Sequence, residues 1–549
     1  MKSPAINKCA GGLLVALAIA SVLATTGCGS SSPIVQPNQG GFGDGNLSGT
    51  YVISISGTDI NSSSVVVPFA IAGTIIANGT GGITGGTLDI NDPGNIGVET
   101  GEAVSTSSAY QVGKDGRGTA TLVTPVGSFN VDFVLTTSSH GLISRFDTLG
   151  TGSGTIDVQA PTPSLSGSYA FSLAGTDSAG NPLGTVGAFT VNGNSIGGTE
   201  DLNDDGTSNN LTGLPLSGQL IAGASGAPST ATLTTGFGSL DFDVWVIDST
   251  HLKFIETDET LNLLAGDAFT QVTSLASGQL VFVLSGMDSG GNPVSAGGYA
   301  TTDANGDLTN GFEDYNDAGT VNLLKPFSTS AAGCVAGRCE LTLAGFTNGD
   351  ANVTGFVVYQ STGGGQVLEI DNLGLLQGTS FSQSATSFTG SGGYGLNFSG
   401  VNNTGVGPVG VVNDIAQFDA GAPDTSLTGT ANMTGVLDES GLGVAPVSSS
   451  MSGEYVPDAN SDGRGTISST NNGTELGGFT LQYYVVDAST VVFIDVDSLA
   501  NDGGVAQLGV GTFEGQNSGS GGVAQGATSQ SRVSIVHPAI RPHGAFQRK

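Results

Sequence analysis

The sequence predicts an all-β chain of four tandem antiparallel domains, each of about eight strands, with an up-and-down barrel favoured over a two-sheet β-sandwich. Three observations carry this reading. Apolar runs are short and lie between Gly, Asn and Asp clusters, with no long amphipathic helical pattern. One stretch, clearest at Gly167-Ser-Tyr-Ala-Phe-Ser-Leu-Ala-Gly-Thr-Asp-Ser-Ala-Gly-Asn-Pro182, opens again at Gly49, Gly278 and Gly392. A second pair of apolar strands closes each copy. A repeat of this length is a whole domain, not a solenoid unit of about 20–50 residues.

The opening stretch reads as a strand running into a turn. Tyr169, Phe171 and Leu173 share one face and are expected in a core. In this second copy further strands are expected at 186–191, 196–203, 214–221, 230–234, 240–247 and 251–256, with a last one near 267–272. Trp245 lies on the strand face opposite Phe242 and Val244, outside that core. An even number of meandering strands can close first on last, which removes exposed edges. The expected domains are 46–160, 161–272, 273–383 and 384–516, followed by a disordered basic tail over 517–549.

The N-terminus carries Lys2 and Lys8, then an apolar run from Ala10 to Ala24, then Thr25-Thr26-Gly27-Cys28. This is the layout of an export signal over 1–27, too short to span a membrane. With small residues before Cys28, it resembles a bacterial lipoprotein precursor. The resemblance implies cleavage before Cys28, a lipid anchor on Cys28 and an outer-membrane or cell-surface location. Thr25 stands where the family's motif has Leu, and an ordinary secreted protein is the alternative. Residues 28–45, rich in Ser, Gly, Pro, Asn and Gln, read as a flexible tether.

The formal charge is −33, and six of the 13 basic residues lie in the leader and tail. The body therefore sets seven basic residues against 46 acidic ones. Such a body repels nucleic acid, which excludes it as a partner. The remaining partners are the membrane, through the N-terminal lipid, and an unidentified surface or extracellular molecule. Cys334 and Cys339 are expected to form a disulfide closing a tight hairpin in an oxidising compartment.

A second motif recurs: Asp89-Ile-Asn91-Asp92, Asp201-Leu-Asn203-Asp204-Asp205-Gly206 and Asp314-Tyr-Asn316-Asp317. Repeat four retains only Asn413-Asp414 and Asp419 of it. Asp201, Asn203 and Asp205, and likewise Asp458, Asn460 and Asp462, match the first half of a calcium loop, where alternate oxygens converge as a Gly turns the chain. Thr212 and Ser469 stand where such a loop needs its final bidentate acid. These six residues are thus candidate Ca²⁺ ligands, against the alternative that Asn, Asp and Gly make hairpin turns. Asp115-Gly-Arg-Gly118 and Asp462-Gly-Arg-Gly465 read as one hairpin used twice, and Asp89, Asp201 and Asp314 are candidates for bonding a neighbouring backbone.

No catalytic residue is assigned. His140 and His251 are placed in turns before a long strand, and no nucleophile-elbow context is present. The acids are read as solvated turn residues. The functional expectation is a non-enzymatic, lipid-anchored surface protein acting in spacing, adhesion or interaction. The alternatives are a carrier of small apolar ligands and a carboxylate-dependent hydrolase.

Overall fold

The structure is a computed structural model. It describes residues 41–518 apart from 162–164, 205–210, 225, 237, 259–262, 274–276, 304, 350–351, 389–391, 404–407, 424–431, 461, 472–477 and 500–505. The leader with Cys28, most of the tether, nearly all of the basic tail, and Asp205 lie outside the described residues.

Barrel 2 shows the plan. Its strands are Gly167–Thr176, Pro182–Asn192, Ser195–Asp204, Leu211–Ile221, Ser229–Thr234, Ser239–Asp248, His251–Glu256 and Leu263–Thr270. Each pairs antiparallel with the next, and the first pairs with the last. Barrel 3, from Gly278–Asp288 to Gly374–Ser382, and barrel 4, from Gly392–Asn403 to Ala506–Gly515, close the same way. Strand order is sequential throughout, so these are up-and-down barrels and the sandwich is excluded.

Barrel 1 departs from eight strands. Its fourth strand is broken into Gly97–Ala103, which pairs with Ile83–Asp92, and Ala109–Val112, which pairs with Arg117–Thr124. The break falls at Ser105-Thr-Ser-Ser108. There the Ser108 hydroxyl accepts the Val123 amide at 2.9 Å, so a side chain replaces the ladder. A bridge from Gly82 to Ala109, with the Tyr110 amide on the Gly81 carbonyl at 2.9 Å, still ties the two edges together.

Alternation decides what faces inward. Tyr169, Phe171 and Leu173 enter the barrel 2 core as expected. The outer wall also alternates, as in Arg338–Ala344 with Leu341 and Leu343 buried and their neighbours exposed. The first strand of barrel 2 does not alternate: it is buried on both faces from Tyr169 to Thr176. Its outer face is covered by another barrel.

The four barrels form a closed ring. The early strands of each barrel pack on the sixth to eighth strands of the next. Between barrels 1 and 2 lie Val52, Ala70 and Ala72 against Trp245, Ile247 and Ile255. Between 2 and 3 lie Ala170, Val186 and Ala188 against Val357, Tyr359 and Leu368. Val281, Val283 and Phe381 meet Tyr484, Val492 and Ile494 between 3 and 4. Ile415 of barrel 4 then meets Val134 and Leu142 of barrel 1. A head-to-tail interface whose rotation closes gives a ring rather than an open string.

Ring closure predicts a compact particle. Small-angle scattering of the chain without leader and tail should give a radius of gyration near 23 Å, the value for a globule of about 480 residues. An open string of four barrels would scatter as a distinctly larger object.

Candidate functional site: buried clamps between barrels

The recurring Asp lies on the third strand of each barrel. In barrels 1 to 3 the pairing of third and fourth strands slips at Asp89, Asp201 and Asp314, leaving that residue at a β-bulge. Opposite the bulge the backbone turns left-handed, at Gly101 (φ 71°), Gly213 (φ 62°) and Leu324 (φ 54°). The amide of that residue donates to the Asp carboxylate at 2.8, 2.7 and 2.7 Å. The motif thus bonds its own neighbouring backbone with one oxygen.

The carboxylate also reaches the next barrel. Asp201 receives the Arg338 guanidinium at 2.6 and 2.8 Å and the Tyr359 hydroxyl at 2.6 Å. Asp314 receives Arg464 at 2.7 and 2.9 Å and the Tyr484 hydroxyl at 2.5 Å. Asp89 instead receives the Trp245 indole N–H at 2.6 Å. Trp245 lies outside its own barrel core, as its strand face implies, but is fully buried between barrels. A planar guanidinium matches a carboxylate with two parallel bonds, which sets orientation as well as charge.

Barrel 4 carries the motif at Asp438 on Met433–Gly441, not at Asn413-Asp414 on the second strand. The register of third strands shows this; sequence similarity alone selected the wrong strand. Asp438 receives Arg117 of barrel 1 at 3.1 Å. The Asn two residues on also crosses the interface. Asn91 donates to the Glu256 carbonyl at 3.0 Å, Asn203 to Glu369 and Gly374 at 2.9 Å each, and Asn316 to Asp497 at 3.0 Å. At the fourth interface Thr151 donates to the Ser440 carbonyl at 2.6 Å.

A further set of residues escaped the sequence reading. Gln159, Gln271, Gln383 and Gln516 each follow the last strand of a barrel. Their amides donate to the next barrel: to Val246, to Ala336, to Asp462 and Val485, and, closing the ring, to Asp115 and Leu135 of barrel 1, at 2.7 to 3.0 Å. The signal was present, as one Gln at the same place in every repeat. The Asp-Gly-Arg-Gly hairpins are turns that also supply Arg117 and Arg464 to the clamps.

These contacts place the candidate calcium ligands. Asp201 and Asn203 sit on a strand, fully buried, with Asp201 held by Arg338 and Tyr359. A cation there would have to displace a guanidinium. Asp458 accepts the Arg464 guanidinium and Asp462 accepts the Arg464 amide at 3.0 Å, while Asn460 is exposed. The hairpin at Asp303 is an Asx turn, its carboxylate accepting the amides of Asn305 and Asp307 at 2.8 and 3.0 Å. Among the described residues, no group of three or more metal-ligating side chains is gathered. Cys334 and Cys339 are bonded across their hairpin, with Cα atoms 4.0 Å apart.

Many acids are buried, contrary to the solvated reading. Burial pushes Glu200 up to about 7, Glu313 to about 9 and Glu256 to about 10. Asp89 is raised by burial and then by Asp243 of barrel 2, with which it shares a hydrogen bond. Asp132 is raised by burial and then by Asp438 across the 4–1 interface.

Both histidines begin a strand and are buried. Burial opposes a charge on His140, but Glu514 of barrel 4 at 3.1 Å and Asp157 at 2.8 Å raise it to about 10. An imidazolium held between two carboxylates is an ion-pair partner, not a general base. His251 and Lys253 share one oxygen of Asp267, at 2.5 and 2.7 Å. Burial would raise Asp267, but Lys253 and His251 hold it down at about 2. Lys253 and Asp267 border a pocket of about 60 Å³ that Ser54 and Thr155 of barrel 1 and Asn397 and Thr512 of barrel 4 also line, at the junction of three barrels.

Fold and site together define a ring of four up-and-down β-barrels locked by buried polar clamps. No family model matches the chain, and no curated protein matches it. Among solved structures it is similar to transferrin binding protein B of Neisseria meningitidis serogroup B, at 10% identity over 69% of this chain and 84% of that one, with a TM-score of 0.20. It is also similar to the same protein of Haemophilus parasuis (11%, 71% and 86%, 0.19) and to a putative AttH of Nitrosomonas europaea (11%, 44% and 98%, 0.17). Likeness at this level carries no argument about function, and the architecture stands on the strand order itself.

Two measurements check the clamps. Arg464→Ala leaves Asp314 buried beside Tyr484 without its counter-charge, and should cost about 3–5 kcal/mol in denaturant unfolding. Adding Asp314→Asn should recover part of that loss. The second is pH. Glu200, Glu313 and Glu256 bind protons in the folded chain at values above their unfolded range, so their contribution is full below about 4.5 and is lost as pH rises through about 7 to 10. His140, also raised, loses its contribution in the same direction, while His251, lowered by burial, opposes only below its ordinary value. The melting temperature should therefore fall steadily from pH 5 to pH 9.5 in a thermal-shift series.

Proposed function

We propose that this chain is an exported, lipid-anchored, non-enzymatic surface protein that presents one rigid four-barrel ring to a partner outside the cell. The observation that carries the proposal is ring closure by four interfaces that share one geometry, each with a Gln donating to the next barrel and the last being Gln516 on barrel 1. A closed ring has a fixed surface and little reach, which suits interaction or adhesion better than spacing. The buried charges serve those interfaces, as His140, Arg338 and Arg464 do, and this supports a non-catalytic role. The acidic body favours a partner with a basic or neutral face, approached with electrostatic steering. Anchoring rests on Cys28 and the tether behind it. A multiply acylated N-terminus holds a protein at a membrane where one chain does not.

Fractionation of producing cells tests the anchor. The wild-type chain should sediment with membranes and its mature N-terminus should carry lipid mass on Cys28. Cys28→Ala should leave the protein soluble with unchanged thermal stability. A Cys28→Ala chain that still sediments with membranes would sink the proposal.

A further inference from the structure

We propose that barrel 3, alone of the four, is a binding site for the alkyl chain of a small neutral amphiphile. This goes beyond the surface role and does not rest on the anchor.

The other three barrels are stoppered at the end where the chain enters. In barrel 1 Phe42 and Leu47, from the entering segment, join the core with Tyr51, whose hydroxyl donates to the Ser138 carbonyl at 2.8 Å. In barrel 2 Leu165 packs against the core beside Tyr169, whose hydroxyl donates to Ser249 at 2.9 Å. In barrel 4 Phe388 fills the same end, its ring 4.8 to 5.6 Å from those of Tyr394, Tyr455, Tyr483 and Phe513. Barrel 3 lacks the tyrosine of the stopper. Leu280 stands at the Tyr position of the Leu-Ser-Gly-x-Tyr pattern of barrels 1 and 2, and it borders the space that Tyr fills in the other barrels.

The consequence is a cavity of about 70 Å³ inside barrel 3, walled by Phe282, Leu308, Phe327, Leu341, Phe346 and Phe356. Three of its lining side chains are polar: Thr302, Gln360 and Ser380. The Thr302 hydroxyl is buried, at 3% residue exposure, and has no hydrogen-bond partner. A buried hydroxyl left unmatched costs about 1–3 kcal/mol, so it is a strong place for a ligand oxygen. The lining contains no Lys, Arg or His, so a carboxylate head would be desolvated without a counter-charge. A neutral alcohol fits. At about 10–15 Å³ for each water-sized group, the cavity takes about five or six methylenes.

Calorimetric titration of the mature chain with a series of primary alcohols from ethanol to 1-octanol tests this. Affinity should tighten about four-fold per added carbon, as expected for burying a methylene, and level off near 1-hexanol. Hexanoate should bind at least ten-fold more weakly than 1-hexanol. Leu280→Tyr restores the stopper the other barrels use, and should abolish 1-hexanol binding without lowering the melting temperature. Leu280→Phe fills the same space without a hydroxyl and has the same expected outcome. The proposal is overturned by no binding to the wild-type chain, by no dependence on chain length, by equal binding of hexanoate, or by binding that survives in two folded variants.

Discussion

The structure depends on a buried carboxylate that answers to two barrels at once. One oxygen of Asp201 or Asp314 caps a bulge in its own barrel, and the pair together receive an Arg and a Tyr from the next. A carboxylate taken out of water is costly unless its hydrogen bonds are met. Here they are met only when the neighbouring barrel is docked in one register. The Arg fork and the Tyr hydroxyl make that register specific, while the apolar faces around them supply most of the attraction.

The four interfaces share geometry but not chemistry. Those of barrels 2–3 and 3–4 use Arg with Tyr. That of barrels 1–2 substitutes Trp245, and its Asp89 faces another carboxyl, Asp243. That of barrels 4–1 has Arg117 with Val134 where the Tyr would be, and the smallest apolar cluster. Barrel 1 is therefore docked on both sides by less regular clamps. It is also the barrel whose fourth strand is broken. The remaining polar contacts, from His140 to Glu514 and from Gln377 to Ser172, add to the same inter-barrel seams.

Most of the architecture was legible in the chain. Strand alternation, turn residues at regular spacing and four copies of one opening stretch led to four meandering β-domains, and the even strand count led to the closure that barrels 2, 3 and 4 show. The hairpin disulfide was legible because two Cys five residues apart leave few other options. The partners that escaped the sequence reading share one cause. Asp201 was judged by what lies near it in sequence, and the partner that Trp245 finds was not foreseen, because in both cases the partners lie a domain away. Asp201 meets Tyr359, 158 residues on. The fourth copy of the motif was missed because Asp438 keeps the position while losing the flanking residues that identify it.

Local order along the chain, then, set the strands, the turns and the inward faces, because side-chain period and turn chemistry act over a few residues. What the chain alone left open was the outward faces. Whether an apolar or acidic outer residue meets water or another barrel is decided by how the domains dock, and docking depends on surfaces assembled from distant strands. Only the tertiary structure turned four repeats into a ring, buried its carboxylates as clamps, and opened a cavity in one barrel.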